Sequence, residues 1–223
     1  SDYVAIVVPG GRAPEYLPPD VSGFWTYDVP RSSATVTRTI GPRRYQVQTF
    51  ARLYYPLSPG EFTLPPARLT YEIRRGFTYS PQLEELVSDS LRLVVLPLPA
   101  EGRPDGFTGA VGRFEVRARI EPSEIPAGEA VALTVEVEGE GNIRALPPPE
   151  LPEIPGVEVH PPTEDARAGA LSGTLSGVKR FTWVLIAHEP GRFEFPPIEY
   201  AYFDPERGAY EVARSAPMEL AVV

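Results

Sequence analysis

The sequence contains no cysteine, two histidines, one methionine and two tryptophans in 223 residues. The absence of cysteine excludes disulfides, thiol nucleophiles and cysteine-ligated zinc or iron–sulfur sites. No apolar run reaches the roughly 18–20 residues of a membrane-spanning helix. The longest, residues 91–99, contains Arg92 and two prolines. These absences leave a narrow range of chemistry open.

Positive charge is also scarce, because 21 Lys and Arg face 30 Asp and Glu, for a net charge of −9. Nucleic-acid phosphates and anionic lipids both attract basic surfaces, so we expect neither nucleic-acid binding nor direct lipid binding. Ser1 and Asp2 show neither an initiator methionine nor the basic-then-apolar pattern of a signal sequence. We expect a fragment whose targeting and anchoring ends have been removed.

Proline is abundant, with 28 residues, and it disfavours long helices because it removes a backbone donor and clashes with the preceding turn. Residues 113–122 and 130–138 alternate apolar with polar side chains, which predicts half-buried strands. Their outward arginines and glutamates are expected to form a solvated face, in which cross-strand ion pairs contribute little energy. Only residues 81–87 show a helix-like pattern, and this pattern is too short and too weak to predict a helix. The many short strands separated by Pro-Gly turns predict an all-β protein built from β-sandwiches.

An internal repeat predicts two domains. Residues 58–71 (SPGEFTLPPARLTY) align with residues 189–202 (EPGRFEFPPIEYAY) at a shift of 131, with six identities. We therefore expect two tandem immunoglobulin-like β-sandwiches, at 1–103 and 104–223, joined within the linker 97–107.

The first copy is expected to lack its opening strand. The second copy begins with two strands, at 113–122 and 130–138, whereas the strand at 4–8, followed by Pro9-Gly10-Gly11, corresponds to the second of these. An exposed sheet edge, or a strand supplied by another chain, would follow.

Residues suited to catalysis are few. His160 and His188 show no HxH or HExxH spacing, although a metal site shared with carboxylates stays open. The GEGN motif at 139–142 begins like a dinucleotide fingerprint, but three prolines at 147–149 forbid the receiving helix, so we interpret it as a strand-end turn. The Gly- and Ser-rich segment 166–177 contains no GxSxG motif, and it is interpreted as a mobile loop. No catalytic, cofactor-binding or metal-ligating residue is predicted.

The aromatic residues allow two interpretations. Phe181, Trp183 and Leu185 occupy every second position of one predicted strand, which predicts that Trp183 lies in a sandwich core. Trp25 is expected in a core or domain interface, and the alternative is a ligand-stacking platform that it forms with Tyr54 and Tyr55.

The second copy resembles BatD proteins, the "oxygen tolerance" family of bacterial aerotolerance operons. The resemblance rests on an ordered series of motifs: FEVRA at 114–118, PAGE at 126–129, LTV at 133–135, GEGN at 139–142, LP at 151–152, IPG at 154–156, KRF at 179–181, EPG at 189–191, FPPI at 195–198 and YFDP at 202–205. In the first copy, SGFW at 22–25 also resembles the family.

The resemblance implies an exported, membrane-anchored protein with tandem β-domains outside the cytoplasm. BatD proteins are encoded beside von Willebrand A-domain proteins and a MoxR-type ATPase. The family supplies no catalytic residues, so the matching positions are carried over as fold-shaping: Gly139, Gly141, Asn142, Pro190, Gly191, Pro196, Pro197, Asp204 and Pro205.

We therefore expect a non-enzymatic periplasmic interaction scaffold with no cofactor, anchored to the inner membrane in the full protein. Its expected partners are von Willebrand A-domain proteins, whose bound metal an acidic residue of this chain would complete. The oligomeric state stays open. One alternative is a glycan- or cell-wall-binding module that uses Trp25, Tyr54 and Tyr55. The weakest alternative is a hydrolase or metal enzyme, which requires His160 and His188 to meet a carboxylate in one pocket.

Overall fold

The computed structural model describes residues 14–30, 36–41, 43–47, 50–73, 80, 82–171 and 173–223. The all-β prediction is confirmed, because regular structure in these residues consists of strands and one 3₁₀ turn at Ile143–Ala145. The chain divides into two compact units, Ser1–Pro97 and Leu98–Val223. The predicted domain limits and the count of two immunoglobulin-like sandwiches stay predictions. The strand expected at 4–8, on which the missing opening strand was argued, lies outside the described residues.

Unit 1 consists of antiparallel strand pairs. Strand β7 lies between β1 and β8, and β2 pairs with β5, β3 with β4 and β6 with β9. The helix-like pattern near residues 81–87 does not correspond to a helix, because Gln82–Val87 forms β8 along the whole of β7. The strands are β1 (Glu15–Leu17), β2 (Phe24–Asp28), β3 (Val36–Ile40), β4 (Arg43–Val47), β5 (Arg52–Pro56), β6 (Gly60–Leu64), β7 (Arg68–Ile73), β8 (Gln82–Val87) and β9 (Leu91–Val95).

Unit 2 has a larger sheet in the order β13-β15-β12-β10-β17-β18, with β14 also on β15, and a smaller sheet in the order β11-β19-β16. Strand β10 pairs antiparallel with β12 and, through its first residues, parallel with β17. The strands are β10 (Phe107–Glu121), β11 (Glu124–Ile125), β12 (Ala130–Gly141), β13 (Val157–Val159), β14 (Thr163–Leu171), β15 (Thr174–Ala187), β16 (Gly191–Phe195), β17 (Glu199–Asp204), β18 (Ala209–Arg214) and β19 (Met218–Val222).

The core of unit 2 follows from the alternation of side chains along its strands. Leu133, Val135 and Val137 of β12 are fully buried, and they share one hydrophobic cluster with Ile125 and Leu220 of the smaller sheet. Trp183 lies in the same cluster, as predicted. The two sheets therefore enclose a single apolar core.

The repeat seen in the sequence has a counterpart in strand register. Two antiparallel strand pairs of unit 1 correspond to two of unit 2, with a shift of 131 residues on the first strand and 127 on the second. In unit 1, Gly60 is opposite Val95 and Arg68 is opposite Val87; in unit 2, Gly191 is opposite Val222 and Glu199 is opposite Arg214.

Each copy also packs a glycine against a phenylalanine ring. Gly23 has a φ of +86°, and a Cβ there would lie 3.1 Å from the Phe62 ring; Gly156 has a φ of +84°, and a Cβ there would lie 3.2 Å from the Phe193 ring. The positive φ and the close ring both favour glycine at these two positions.

Candidate interaction surfaces and motif residues

The GEGN motif stands at the end of a strand, as expected, but its first three residues are extended strand and not a turn. Strand β12 continues to Gly141 and stays paired with β10 there. A Cβ at Gly139 would stand 2.0 Å from the carbonyl oxygen of Arg113, and one at Gly141 would stand 2.6 Å from that of Val111. These glycines therefore permit a close approach of two strands, which is a fold-shaping role.

Asn142 leads from β12 into the 3₁₀ turn, and its buried Oδ1 has no hydrogen-bond partner. Beside this turn lies Lys179, a buried lysine of β15. Its Nζ donates to the carbonyl oxygens of Leu146 at 2.6 Å and Arg144 at 3.3 Å, and it pairs with Glu164 at 2.7 Å. The ammonium group thus satisfies carbonyls at the end of the turn, where a cation is favoured.

Sequence reasoning missed this role of Lys179, although a signal was present. Lys179 occupies the same alternating phase as Phe181, Trp183 and Leu185, whose side chains are all buried. A lysine in the inward phase of a strand requires acceptors for its charge.

Asp204 organises the hairpin between β17 and β18. Its buried carboxylate accepts hydrogen bonds from the backbone N–H groups of Glu206 at 2.9 Å and Arg207 at 3.2 Å, and Arg113 lies 3.6 Å away. Burial alone raises the pKa of Asp204, but the two N–H donors and Arg113 outweigh it, so the pKa lies below its usual value. Pro205 is the residue after this anchor.

The remaining motif prolines lie at strand boundaries. Pro190 precedes Gly191, the first residue of β16, and Pro196 and Pro197 connect β16 to β17. The N–H of Ile198, directly after them, donates to the Ser215 hydroxyl at 2.9 Å. These positions therefore direct the chain from the smaller sheet into the larger one.

The outer face of the larger sheet bears the expected cross-strand ion pairs. Arg117 lies 3.1 Å from Glu138, Arg119 lies 3.7 Å from Glu136, and Arg180 lies 2.7 Å from Glu136. Most of these side chains are largely exposed, so each pair contributes at most about 1 kcal/mol. The face is solvated and contains both signs of charge.

The two histidines lie closer together than their spacing suggested. His160 and His188 each place Nε2 3.5 Å from a different oxygen of Glu158. All three side chains are about half or more exposed, so they meet on an open surface and not in a pocket. In the described part of the chain, no group of three His, Cys, Asp or Glu residues is placed to hold a metal ion.

The mobile loop expected at 166–177 is instead a long hairpin. Strands β14 and β15 pair from Thr163 opposite Thr182 to Leu171 opposite Thr174. Gly177 lies opposite Ala168, and a Cβ at Gly177 would stand 2.0 Å from the carbonyl oxygen of Arg167. Small residues thus permit tight pairing of these strands.

The three aromatics proposed as a platform in unit 1 lie on two faces. Trp25 and Tyr55 are opposite each other on β2 and β5, with ring centroids 5.7 Å apart, and Tyr27 stacks on Trp25 at 6.4 Å. Tyr54 lies on the other face against Phe24, and its hydroxyl donates to the carbonyl oxygen of Pro19 at 2.7 Å. Trp25, Tyr54 and Tyr55 are all partly buried.

Exposed apolar side chains concentrate on β8 and β9. Twelve large hydrophobic residues are exposed in the described parts of the chain. Six of them lie between residues 83 and 96, on β8, on β9 or directly after β9: Leu83, Leu86, Val87, Leu91, Val94 and Leu96. Such a concentration is typical of an interaction surface.

In a comparison with protein families, residues 118–222 match the family model "BatD DUF11 like domain". These residues make up most of the second unit, which is therefore similar to that domain. No curated protein and no solved structure matches the chain.

All nine motif positions expected to shape the fold lie inside the BatD-like domain, from Gly139 to Pro205. The aromatic face at Trp25 and the apolar strands β8 and β9 lie outside the matched residues. Among the residues that the structure describes, no helix has the length and hydropathy needed to cross a membrane.

Proposed function

We propose that this chain is the ectodomain region of a BatD-like cell-envelope protein and that it acts as a non-enzymatic protein-interaction module. The observation that carries this proposal is the concentration of exposed leucines and valines on β8 and β9 of unit 1. These two strands follow each other along the chain but belong to different sheets. Water-exposed apolar side chains on them gain free energy when a partner covers them. The match of residues 118–222 to the BatD family supports a location in the cell envelope.

The partners we propose are von Willebrand A-domain membrane proteins, within a system that includes a MoxR-type ATPase and acts in aerotolerance or stress response. The full protein is proposed to be periplasmic and anchored to the inner membrane. Support comes from the ordered BatD motifs, and the net charge of −9 supplies carboxylates for a metal held by an A-domain.

Binding to the cognate A-domain protein tests this function. Leu83 and Val87 lie four residues apart on β8 and are 66% and 56% exposed. Replacing both with serine is expected to weaken binding at least tenfold. Val159→Ser, at an exposed valine of unit 2, serves as the control and is expected to bind normally. Equal binding by the double variant and the control contradicts the apolar contact, and binding that EDTA leaves unchanged rejects the carboxylate–metal bridge.

A second candidate function is binding of glycan or cell-wall material at the partly exposed face of Trp25, Tyr27 and Tyr55. Adjacent aromatic rings provide a surface on which sugar rings can stack. Trp25→Ala is expected to abolish retention on peptidoglycan, whereas Trp183→Phe, in the core of the other unit, is expected to preserve it. Retention by Trp25→Ala rejects this function.

A further inference from the structure

The two units differ at one sheet edge. In unit 2, β19 lies between β16 and β11, and β11 runs parallel to it, with Glu124 opposite Ala221 and Ile125 opposite Val222. In unit 1, β6 and β9 pair in the register of β16 and β19. Among the described residues, however, β9 has no strand on its other edge.

Backbone groups identify where a strand would bind. In unit 2, the N–H of Ala221 donates to the carbonyl oxygen of Ser123 at 2.8 Å, and the N–H of Val223 donates to that of Ile125 at 3.0 Å. The shift of 127 residues places Val94 and Leu96 at the positions of these two donors. Because backbone donors alternate between the two sides of a strand, the N–H groups of Val94 and Leu96 point away from β6.

Side-chain burial indicates what such a strand must bring. Ile125 of β11 is buried in the core with Leu220 and Val222, which are 0% and 4% exposed. Their counterparts in unit 1, Leu93 and Val95, are only partly buried. One large aliphatic side chain, inserted as Ile125 is, would complete their burial.

Charge adds a second requirement. Exposed Arg92 lies two residues before Val94, on the same face of β9. In unit 2, Glu124 lies opposite Ala221, the counterpart of Val94. A carboxylate in the place of Glu124 would therefore be a diagonal neighbour of Arg92, within reach of its long side chain.

We propose that the free edge of β9 binds an extended segment of a partner protein, parallel to β9, through backbone hydrogen bonds to Val94 and Leu96. The segment has an acidic residue followed by a large aliphatic residue and proline, as in Glu124-Ile125-Pro126. This proposal rests on the proposed function, because it names how a protein partner would engage unit 1. Strand addition of this kind derives affinity from the main chain and specificity from alternate side chains.

A labelled peptide that copies residues 121–128 is the probe, titrated into the whole chain by fluorescence anisotropy. We expect saturable binding, nearly unchanged affinity in Val94→Ala, and at least tenfold weaker affinity in Val94→Pro. Proline removes the N–H that faces the free edge, whereas alanine keeps it. A peptide with aspartate in place of its isoleucine is also expected to bind at least tenfold more weakly.

Amide hydrogen exchange of the unmodified chain covers the case in which Val94→Pro fails to fold. The Val94 and Leu96 amides are expected to exchange at least tenfold more slowly once the peptide is added. The proposal is overturned by absent or unsaturable binding, by equal affinity in Val94→Pro and Val94→Ala, or by amides that are already protected before the peptide is added.

The same variants separate this inference from the proposed function. If the peptide docks at β9 but A-domain proteins do not bind the chain, the partner assignment fails and the strand site stands. If A-domain proteins bind Val94→Pro and Val94→Ala equally well, the strand site fails and the interaction function stands.

Discussion

At the residue scale, the glycine–phenylalanine contact that occurs in both units makes a prediction about Gly156. Alanine there meets both a positive φ and the Phe193 ring, so Gly156→Ala is expected to lower the free energy of unfolding of unit 2 by about 2–3 kcal/mol. Gly208→Ala is the control, because Gly208 also has a positive φ, of +65°, but no atom within 4 Å. It is expected to cost about 1 kcal/mol. Urea denaturation measures both, and equal losses contradict the role of the ring.

The lowered pKa of Asp204 predicts how the stability of unit 2 depends on pH. The pKa of Asp204 in the folded protein lies below its unfolded value of about 3.9. The carboxylate therefore contributes fully to the stability of unit 2 at a pH above the unfolded pKa, and this contribution is lost as the pH falls through the folded pKa. Asp204→Asn is therefore expected to be less stable than the parent at pH 7. This difference should shrink as the solution is acidified below about pH 4. Urea midpoints of both proteins across this range provide the measurement, and a difference that stays constant with pH contradicts the prediction.

At the element scale, Lys179 connects β15 to the 3₁₀ turn. Lys179→Met keeps the length of the side chain but leaves two carbonyl oxygens without their donor, so we expect a loss of about 2–3 kcal/mol. Arg180→Met, one residue later on the exposed face, is expected to change stability by about 0.5 kcal/mol or less. Chemical denaturation of both variants distinguishes the buried cation from the surface one. Similar effects would contradict the role assigned to Lys179.

Some strands of this fold could be predicted from the sequence pattern and others could not. Alternation located β10 and β12 because each has one buried and one solvated face, and the same alternation predicted their outer ion pairs. Alternation did not indicate the strand at Gln82–Val87 or the hairpin of β14 and β15, where pairing with a neighbouring strand determines the conformation. The meeting of His160 and His188 at Glu158 depends on such pairing too, so spacing along the chain did not indicate it.

At the scale of the whole molecule, the described residues of the two units differ in how much apolar surface they bury. Among the described residues, the buried hydrophobic residues of unit 1 are Leu64, Ala67 and Leu69, whereas the core of unit 2 draws on both of its sheets. Burial of apolar surface is the main favourable contribution to folding, and small cores give marginal stability. The free edge of β9 belongs to the less buried unit, where a bound strand would add the most.

This difference predicts that the chain unfolds in two steps, with unit 1 first. Hydrogen exchange followed by mass spectrometry should show β6 and β9 losing protection at a lower denaturant concentration than β12 and β15. Leu64→Ala is expected to destabilise only the first step, and Leu220→Ala only the second. Because Leu220 is fully buried, its replacement is expected to lower the free energy of unfolding of unit 2 by about 2–5 kcal/mol. The peptide that copies residues 121–128 should raise the denaturant concentration of the first step only, because ligand binding stabilises the unit that binds it. One coincident transition for all four strands would mean that the two units unfold together, and it would contradict this prediction.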